Sequence, residues 1–289
     1  MAVSRRTAIV GGLAAAAAGV AALFGRGGGP DVPQGVVRTV DTYGPEPRQD
    51  GEWWVPPGAD GPLPTVVLVH GGYWRDGFSR SLEDDVAADL VGLGYLVWNL
   101  DYRSSDEPWP TTLEDAAAAY DLLATGTHAD LVDPEQVAVV GHSAGGHLAL
   151  WLASRKPGAP GGRRQGPTPS LVVAQAPVAA LAEGAFAGLG GGAVEALVDG
   201  TPGQVPDRYA VADPIALLPT GVPVVCLHAQ GDDVVPIAQS EAYVAAAQAA
   251  GDDASLVVVP GGHFEHLDPQ SAAIEALREA LRERLRQPG

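Results

Sequence analysis

The stretch Val137–Gly146, VAVVGHSAGG, decides the fold. Its first half is an apolar run rich in β-branched residues, which favours a buried strand. Its second half leads into an Ala- and Leu-rich segment that we predict to be a helix. Gly141, Ser143 and Gly145 fit the pattern G-x-S-x-G, in which a serine stands on a strained turn between a strand and a helix. We therefore expect Ser143 to be a nucleophile.

The rest of the chain alternates strand-like and helix-like segments around this motif. Near-continuous Val and Leu runs are typical of parallel strands buried on both faces, and parallel strands need crossovers between them. The predicted strands are Val36–Tyr43, Glu52–Val55, Thr65–His70, Tyr95–Asp101, Val137–Gly141, Leu171–Ala176, Val222–His228 and Ser255–Pro260. The predicted helices are Leu82–Gly92, Leu113–Ala124, Ala144–Arg155, Ile237–Ala250 and Ala272–Arg286. This pattern predicts an α/β fold with an eight-stranded, mostly parallel, doubly wound sheet.

Two segments do not fit the alternation. Lys156–Ser170 is rich in Gly, Pro and Arg, which indicates a surface loop. Pro177–Pro214 is a longer insertion that contains the glycine-rich run Gly188–Gly192. We expect this insertion to lie over the C-terminal edge of the sheet, where ligands bind in open α/β folds.

A serine nucleophile needs a base to take its proton and an acid to orient that base. The predicted strand Val222–His228 is followed by a turn glycine and two carboxylates, Asp232 and Asp233. We assign the acid to Asp232, because it directly follows Gly231 at the strand end. Asp233 is the alternative, and its other interpretation is a carboxylate near a helix N-terminus.

The base is predicted on the loop after the next strand. His263 follows Ser255–Pro260 through a tight pair of glycines, and His266 comes three residues later. We assign the base to His263 and interpret His266 as a polar surface residue, because it lies beyond the tight loop. His142 and His147, which flank the turn at Ser143, have structural interpretations. His228 and Asp232 could be combined with His263 as metal ligands, but no metal-binding motif is present, and we expect neither a metal nor an organic cofactor.

Backbone donors for an oxyanion are predicted at the sequence His70–Trp74, HGGYW, directly after the strand Thr65–His70. Glycine lets the backbone approach a substrate without a Cβ in the way. The N–H groups there can converge with that of Ala144, which follows the nucleophile. Spacing alone does not decide which of Gly71, Gly72 and Tyr73 donate.

Four motifs together resemble the esterase/lipase branch of the α/β-hydrolase superfamily: HGGYW at 70–74, GHSAGGH at 141–147, GDDVVP at 231–236 and GGHF at 261–264. HGGYW and Asp101-Tyr102-Arg103 are similar to carboxylesterase-like and arylformamidase-like members. The resemblance implies an α/β-hydrolase fold with the triad Ser143, Asp232 and His263, and with Gly72, Tyr73 and Ala144 as oxyanion donors. The aromatic rings of Trp74 and Trp109 are candidates for the substrate pocket, or else half-buried packing residues.

This resemblance implies a serine hydrolase that cleaves a carboxylic ester through an acyl-enzyme. The modest length of the insertion Pro177–Pro214 indicates a small or medium acyl group rather than a long lipid chain. An arylformamidase-type amidase or a small peptidase is the alternative, because the same triad cleaves esters and amides. A catalytically inactive binding protein on the same fold is a third interpretation. It is disfavoured because such proteins usually lose a triad residue or an elbow glycine, and none is missing here.

The N-terminus is predicted to lie outside the catalytic domain. Paired arginines, Arg5 and Arg6, precede the uncharged apolar run Ala8–Phe24, a pattern similar to a twin-arginine export signal. Residues 1–30 are therefore interpreted as signal and linker, and residues 31–289 as the α/β-hydrolase catalytic domain. We expect an exported protein, either secreted or anchored in the membrane by an uncleaved signal.

Composition narrows the possible partners. The 289 residues carry a formal net charge of −18, and such a surface repels phosphate backbones, so a nucleic-acid partner is not expected. The single cysteine, Cys226, excludes an intramolecular disulfide and a zinc site built on cysteines. A small ester or amide substrate remains as the expected partner.

Overall fold

Val- and Leu-rich strands pair side by side in the computed structural model, which describes residues 29–162 and 165–286. Their order across the sheet is β1-β2-β4-β3-β5-β6-β7-β8. β2 runs antiparallel to β1 and to β4, and all other neighbours are parallel. The predicted eight-stranded, mostly parallel sheet is confirmed. The strands are β1 (Val37–Thr42), β2 (Asp50–Val55), β3 (Leu63–Val69), β4 (Leu96–Leu100), β5 (Val132–His142), β6 (Leu171–Gln175), β7 (Val224–Ala229) and β8 (Ala254–Val259).

Helices cover both faces of the sheet, as the doubly wound prediction requires. The helices are α1 (Asp84–Gly92), α2 (Thr111–Asp121), α3 (Ala144–Ser154), α4 (Leu181–Ala187), α5 (Ala193–Val198), α6 (Pro206–Ala212), α7 (Ala238–Ala249) and α8 (Ala272–Arg284). Alternate residues of β3 point to opposite sides, since side chains in a strand alternate. Val67 belongs to the apolar cluster that includes residues of α2, α3 and α7, whereas Val66 belongs to the cluster that includes residues of α1 and α8. Two apolar cores therefore enclose the sheet.

The insertion 177–214 contains structure that the sequence pattern did not predict. Three short helices, α4 to α6, form within it, and left-handed glycines at Gly188 and Gly192 separate α4 from α5. These helices are too short to show a clear apolar period. The insertion lies against the loop after β3: Arg75 Nη2 donates to the carbonyl of Gly190 at 2.6 Å.

The predicted export signal at residues 4–24 lies outside the described residues, and it stays a prediction. The boundary of the catalytic domain at residue 31 is likewise a prediction. Among the helices of the described segments, none combines the length and the apolar character needed to cross a bilayer.

Candidate active site

The nucleophile candidate stands on a sharp turn between β5 and α3. Ser143 has φ 57° and ψ −117°, a conformation that costs a non-glycine residue free energy and persists only where the surroundings fix it. Its backbone N–H donates to the carbonyl of Gln175 on β6 at 2.8 Å. The flanking glycines make the turn possible. A Cβ on Gly141 would lie 2.1 Å from the Gly145 carbonyl oxygen, and one on Gly145 would lie 2.0 Å from the Val69 carbonyl oxygen.

The acid candidate is fixed from two sides on the loop after β7. One oxygen of Asp232 accepts the backbone N–H groups of Val234 and Val235 at 2.9 and 2.8 Å. The other oxygen accepts a 2.7 Å hydrogen bond from Nδ1 of His263. Burial raises the pKa of Asp232, but hydrogen bonds from His228 and His263 outweigh it and hold the pKa below its usual range. Asp232 is therefore a carboxylate at neutral pH.

Neither alternative residue takes the place of Asp232 and His263. Asp233 is exposed, whereas the side chain of Asp232 is 1% exposed. His266 was expected at the surface, and that expectation is wrong: its side chain is completely buried. The turn His263–Leu267 folds it inward, and neither ring nitrogen has a hydrogen-bond partner among the described residues. Burial lowers the pKa of His266 to about 3, so the ring is neutral.

The base candidate has a defined tautomer. A carboxylate only accepts hydrogen bonds, so Nδ1 of His263 must carry the proton of its hydrogen bond to Asp232. Nε2 is then free to accept a proton. His263 is 3% exposed, and it lines one cleft together with Ser143. His228 is the other histidine beside Asp232. Its Nε2 lies 2.9 Å from the Val235 carbonyl oxygen and 3.5 Å from the Asp232 carboxylate, and its Nδ1 lies 2.8 Å from the Ser240 hydroxyl, so both nitrogens are engaged within the protein.

The loop after β3 has an unusual backbone conformation. Gly72, Tyr73 and Trp74 have consecutive positive φ values of 113°, 53° and 54°. Such a conformation in two non-glycine residues is rare and marks a site where the surroundings fix the backbone. Gly71 packs tightly against the elbow, since a Cβ there would lie 3.1 Å from the Cβ of Ser143. The backbone of this loop therefore lies beside the nucleophile.

A largely buried network of charged and polar side chains anchors this loop, and the sequence pattern did not indicate a role for it. Asp101 accepts hydrogen bonds from His70 Nε2 at 3.0 Å and from Arg48 Nη2 at 2.8 Å. The ring of Tyr102 stacks on His70, and its hydroxyl donates to the His70 carbonyl. Burial raises the pKa of Asp101, but the bonds from His70 and Arg48 outweigh it and lower the pKa to about 2. Asp101-Tyr102 was noted only as part of a family signature, and nothing in the spacing of Arg48 indicates its contact.

The cleft at Ser143 is apolar apart from the reacting groups. It encloses about 380 Å³, counting the space open to solvent. The apolar walls come from Phe78 and Leu82 before α1 and from residues of the acid and base loops. The full lining is Gly71, Gly72, Tyr73, Phe78, Leu82, His142, Ser143, Val234, His263, Phe264 and Leu267.

Neither Trp74 nor Trp109, the two pocket candidates, belongs to this lining. Trp74 is 1% exposed, and its ring packs edge-on against His147 because the positive φ turns the side chain inward. Trp109 packs partly buried against the core, where it forms a separate small cleft with neighbouring prolines and Leu197.

Comparison with known proteins gives the class. The sequence model of the BD-FAE family matches residues 52–246. An uncharacterised protein of Mycobacterium tuberculosis is 30% identical over 237 residues, which cover 80% of this chain and 73% of that protein. Carboxylesterase NlhH of the same species is 34% identical over 102 residues, 35% of this chain and 32% of that protein.

Solved structures show the same fold. A truncated carbohydrate esterase from gut microbiota superposes with a TM-score of 0.78 at 20% sequence identity. The match covers 89% of this chain and 99% of the esterase chain. Esterase B from Lactobacillus rhamnosis also has a TM-score of 0.78, at 22% identity and with 96% and 94% coverage. The chain is thus a carboxylesterase-like α/β-hydrolase. It belongs to the BD-FAE family.

Proposed function

We propose that this protein hydrolyses carboxylic esters of small to medium acyl size through an acyl-enzyme, with Ser143 as nucleophile, His263 as base and Asp232 as the orienting acid. The observation that carries the proposal is the 2.7 Å bond from His263 to Asp232, formed beside a serine in a strained elbow. The family and its esterase-named relatives support the general class, a carboxylic-ester hydrolase.

In the proposed reaction, Ser143 Oγ attacks the ester carbonyl while His263 Nε2 takes the hydroxyl proton. The carbonyl π electrons move to oxygen, and the tetrahedral intermediate then expels the alcohol as His263 returns the proton to it. Water repeats the sequence on the acyl-enzyme and releases the acid. Asp232 holds the imidazole in one tautomer and stabilises its charged form. The depressed pKa of Asp232 supports this role, because the carboxylate keeps its charge throughout.

The proposed oxyanion donors are the backbone N–H groups of Gly72, Tyr73 and Ala144. Ala144 is the first residue of α3, so its N–H has no partner within the helix. The left-handed backbone at Gly72 and Tyr73 supports the assignment, because it occurs in the loop that packs against the elbow through Gly71. Such donors act without reorganisation, and removing one typically costs ~10²- to 10³-fold in kcat.

The proposed acyl preference rests on the shape of the cleft. The walls of this cleft are apolar, and such walls suit a hydrocarbon chain. Phe78 closes one wall and packs on Gly72, where a Cβ would lie 2.4 Å from the ring. We expect Phe78→Ala to raise relative activity toward longer acyl chains. Leu93→Ala, at an exposed site away from the cleft, is the matched control.

The test compares hydrolysis of p-nitrophenyl acetate, butyrate and octanoate by wild type and Ser143→Ala. N-formylkynurenine is added as the amide-type substrate. Ester turnover that favours acetate and butyrate and disappears in Ser143→Ala supports the proposal. Turnover confined to N-formylkynurenine assigns an arylformamidase-type amidase instead. If folded wild type hydrolyses none of these substrates faster than Ser143→Ala does, the result contradicts an enzymatic function of this serine.

We also propose that the protein is exported through a twin-arginine signal at its N-terminus. The paired arginines before an uncharged, weakly hydrophobic run support this. Arg5→Lys together with Arg6→Lys should abolish export of the full chain, and mass spectrometry of the exported protein should show whether the signal is removed. Unchanged export of the double variant contradicts the twin-arginine assignment.

A further inference from the structure

A second histidine, His142, contacts the proposed base His263. His142 is the last residue of β5, directly before the nucleophile, and its side chain is 3% exposed. Its Nε2 lies 3.0 Å from the backbone carbonyl oxygen of His263. The two imidazole rings also pack together, with centroids 4.5 Å apart and planes inclined by 45°. One side chain thus contacts both the backbone and the ring of the base.

The chemistry of this contact fixes the state of His142. A carbonyl oxygen only accepts hydrogen bonds, so Nε2 must carry a proton. Burial and the neighbouring His263 and His266 lower the pKa of His142 well below its usual value, although Asp232 opposes this. The ring is therefore neutral, with its one proton on Nε2 and none on Nδ1.

We propose that His142 is a positioning residue for the base: its neutral imidazole holds the backbone of His263 and packs against the ring, so that the ring keeps its orientation in the cleft that it shares with Ser143. This inference rests on the proposed function, because it assigns His142 a role in the same site. It goes further in naming a residue outside the triad whose loss affects the chemical step.

The surroundings of His263 explain why the positioning residue is neutral. The groups that contact the base are Asp232 from the loop after β7, His142 from the end of β5 and Phe264 from its own turn. His266, from the same turn, packs against His142. Only Asp232 is charged among those contacts at neutral pH. A cation at 4.5 Å would oppose the imidazolium that forms when His263 takes the serine proton. A neutral N–H donor supports the backbone without that cost.

His147 provides a matched control within the same motif. It is fully buried, its Nε2 donates to a backbone carbonyl at 3.0 Å, and its Nδ1 has no hydrogen-bond partner among the described residues. Its acceptor is Ala212 in the insertion, not the base loop. Losing either imidazole therefore removes a comparable buried bond, but only His142 touches His263.

The experiment measures kcat and KM with p-nitrophenyl butyrate for His142→Phe, His142→Gln and His147→Phe. We expect His142→Phe to lower kcat by on the order of 10- to 100-fold, with KM within about twofold, because a misaligned base slows the chemical step. His142→Gln keeps an N–H near the position of Nε2 and should recover most of kcat. His147→Phe should lower the melting temperature about as much as His142→Phe does, because each removes one buried hydrogen bond. It should nevertheless leave kcat within about threefold of wild type.

A double-variant cycle separates positioning from general damage. The rate at which a fluorophosphonate labels Ser143 is measured for four proteins, namely wild type, His142→Phe, His263→Ala and the double variant. If His142 acts through the base, its substitution slows labelling in wild type and has almost no further effect in His263→Ala. Equal losses in both backgrounds, or equal kcat losses for His142→Phe and His147→Phe, overturn the inference. Failure of the proposed function is a different result, namely Ser143→Ala as active as wild type.

Discussion

The hydroxyl of Tyr73 donates a 3.0 Å hydrogen bond to the carbonyl of Val234, so the loop after β3 is tied directly to the loop that carries Asp232. The bond is buried and joins residues that are 161 positions apart in the chain. Burial, and then the charge of Asp232, raise the pKa of Tyr73 to about 12, so the hydroxyl remains a donor at any pH of interest. The side chain thus couples the proposed oxyanion turn to the acid, independently of any role of the Tyr73 backbone.

Tyr73→Phe tests this coupling, because it removes the hydroxyl and keeps the backbone N–H. We expect a loss of ~1–2 kcal/mol in the free energy of unfolding, since the Val234 carbonyl is left buried without its donor. We also expect several-fold slower labelling of Ser143 by a fluorophosphonate. Tyr209→Phe is the control, because Tyr209 donates a similar bond to Gly200 within the insertion. If the two variants lose stability alike and label alike, Tyr73 has no special effect on the site.

Asp232→Asn tests the proposed acid with little change in shape. An asparagine oxygen can still accept the N–H groups of Val234 and Val235, so the loop should keep its structure. The amide can no longer stabilise a charged imidazole and favours the wrong tautomer of His263. We expect kcat to fall by ~10⁴-fold on the precedent of the same change in a serine protease triad.

Asp233→Asn is the paired control for this experiment, because Asp233 is the exposed neighbour. Its kcat should stay within about twofold of wild type. A large loss in Asp233→Asn with a small one in Asp232→Asn would exchange the two assignments. Circular dichroism of both variants shows whether the fold is kept.

The sequence predicted the fold because its determinants are local. Gly141 is required by backbone contacts within the elbow itself, and buried strands show as runs of Val and Leu. Gly145 belongs to the same local motif, although the backbone that requires it is that of Val69 at the end of β3. Side-chain direction was not predictable in the same way. Trp74 turns away from the cleft because three consecutive residues adopt positive φ, which spacing does not reveal. The contact of Arg48 with Asp101 joins distant segments, and it exists only once the sheet has formed.

Glu83 makes stability depend on pH in the neutral range. It is 1% exposed, and burial, together with the neighbouring Asp84, raises its pKa to about 8 from an ordinary value of 4.5. The folded state then keeps a proton that the unfolded chain releases. Its contribution to stability is complete below pH 4.5 and is lost as the pH rises toward 8. At ~1.4 kcal/mol for each pKa unit, the total change is a few kcal/mol.

Glu83→Gln should remove this slope, because glutamine resembles the protonated acid at every pH. The measurement is the melting temperature of both proteins between pH 5 and 9, where wild type should lose stability relative to Glu83→Gln as the pH rises. Glu279→Gln, at an exposed position on α8, should run parallel to wild type. Parallel curves for Glu83→Gln as well would mean that Glu83 is not protonated in the folded state.

The buried histidines produce the opposite slope at acid pH. Burial lowers the pKa of His147 to about 4 and that of His266 to about 3, from an ordinary value of 6.5. At acid pH the unfolded chain therefore binds protons on these rings that the folded state does not bind. The stability that the neutral rings contribute is complete above pH 6.5 and is lost as the pH falls toward 4 and then 3.

His266→Leu removes one titrating ring. Its free energy of unfolding, measured with urea, should fall less steeply between pH 6.5 and 3 than that of wild type. An unchanged slope in His266→Leu would show that the pKa of this ring is not lowered in the folded protein.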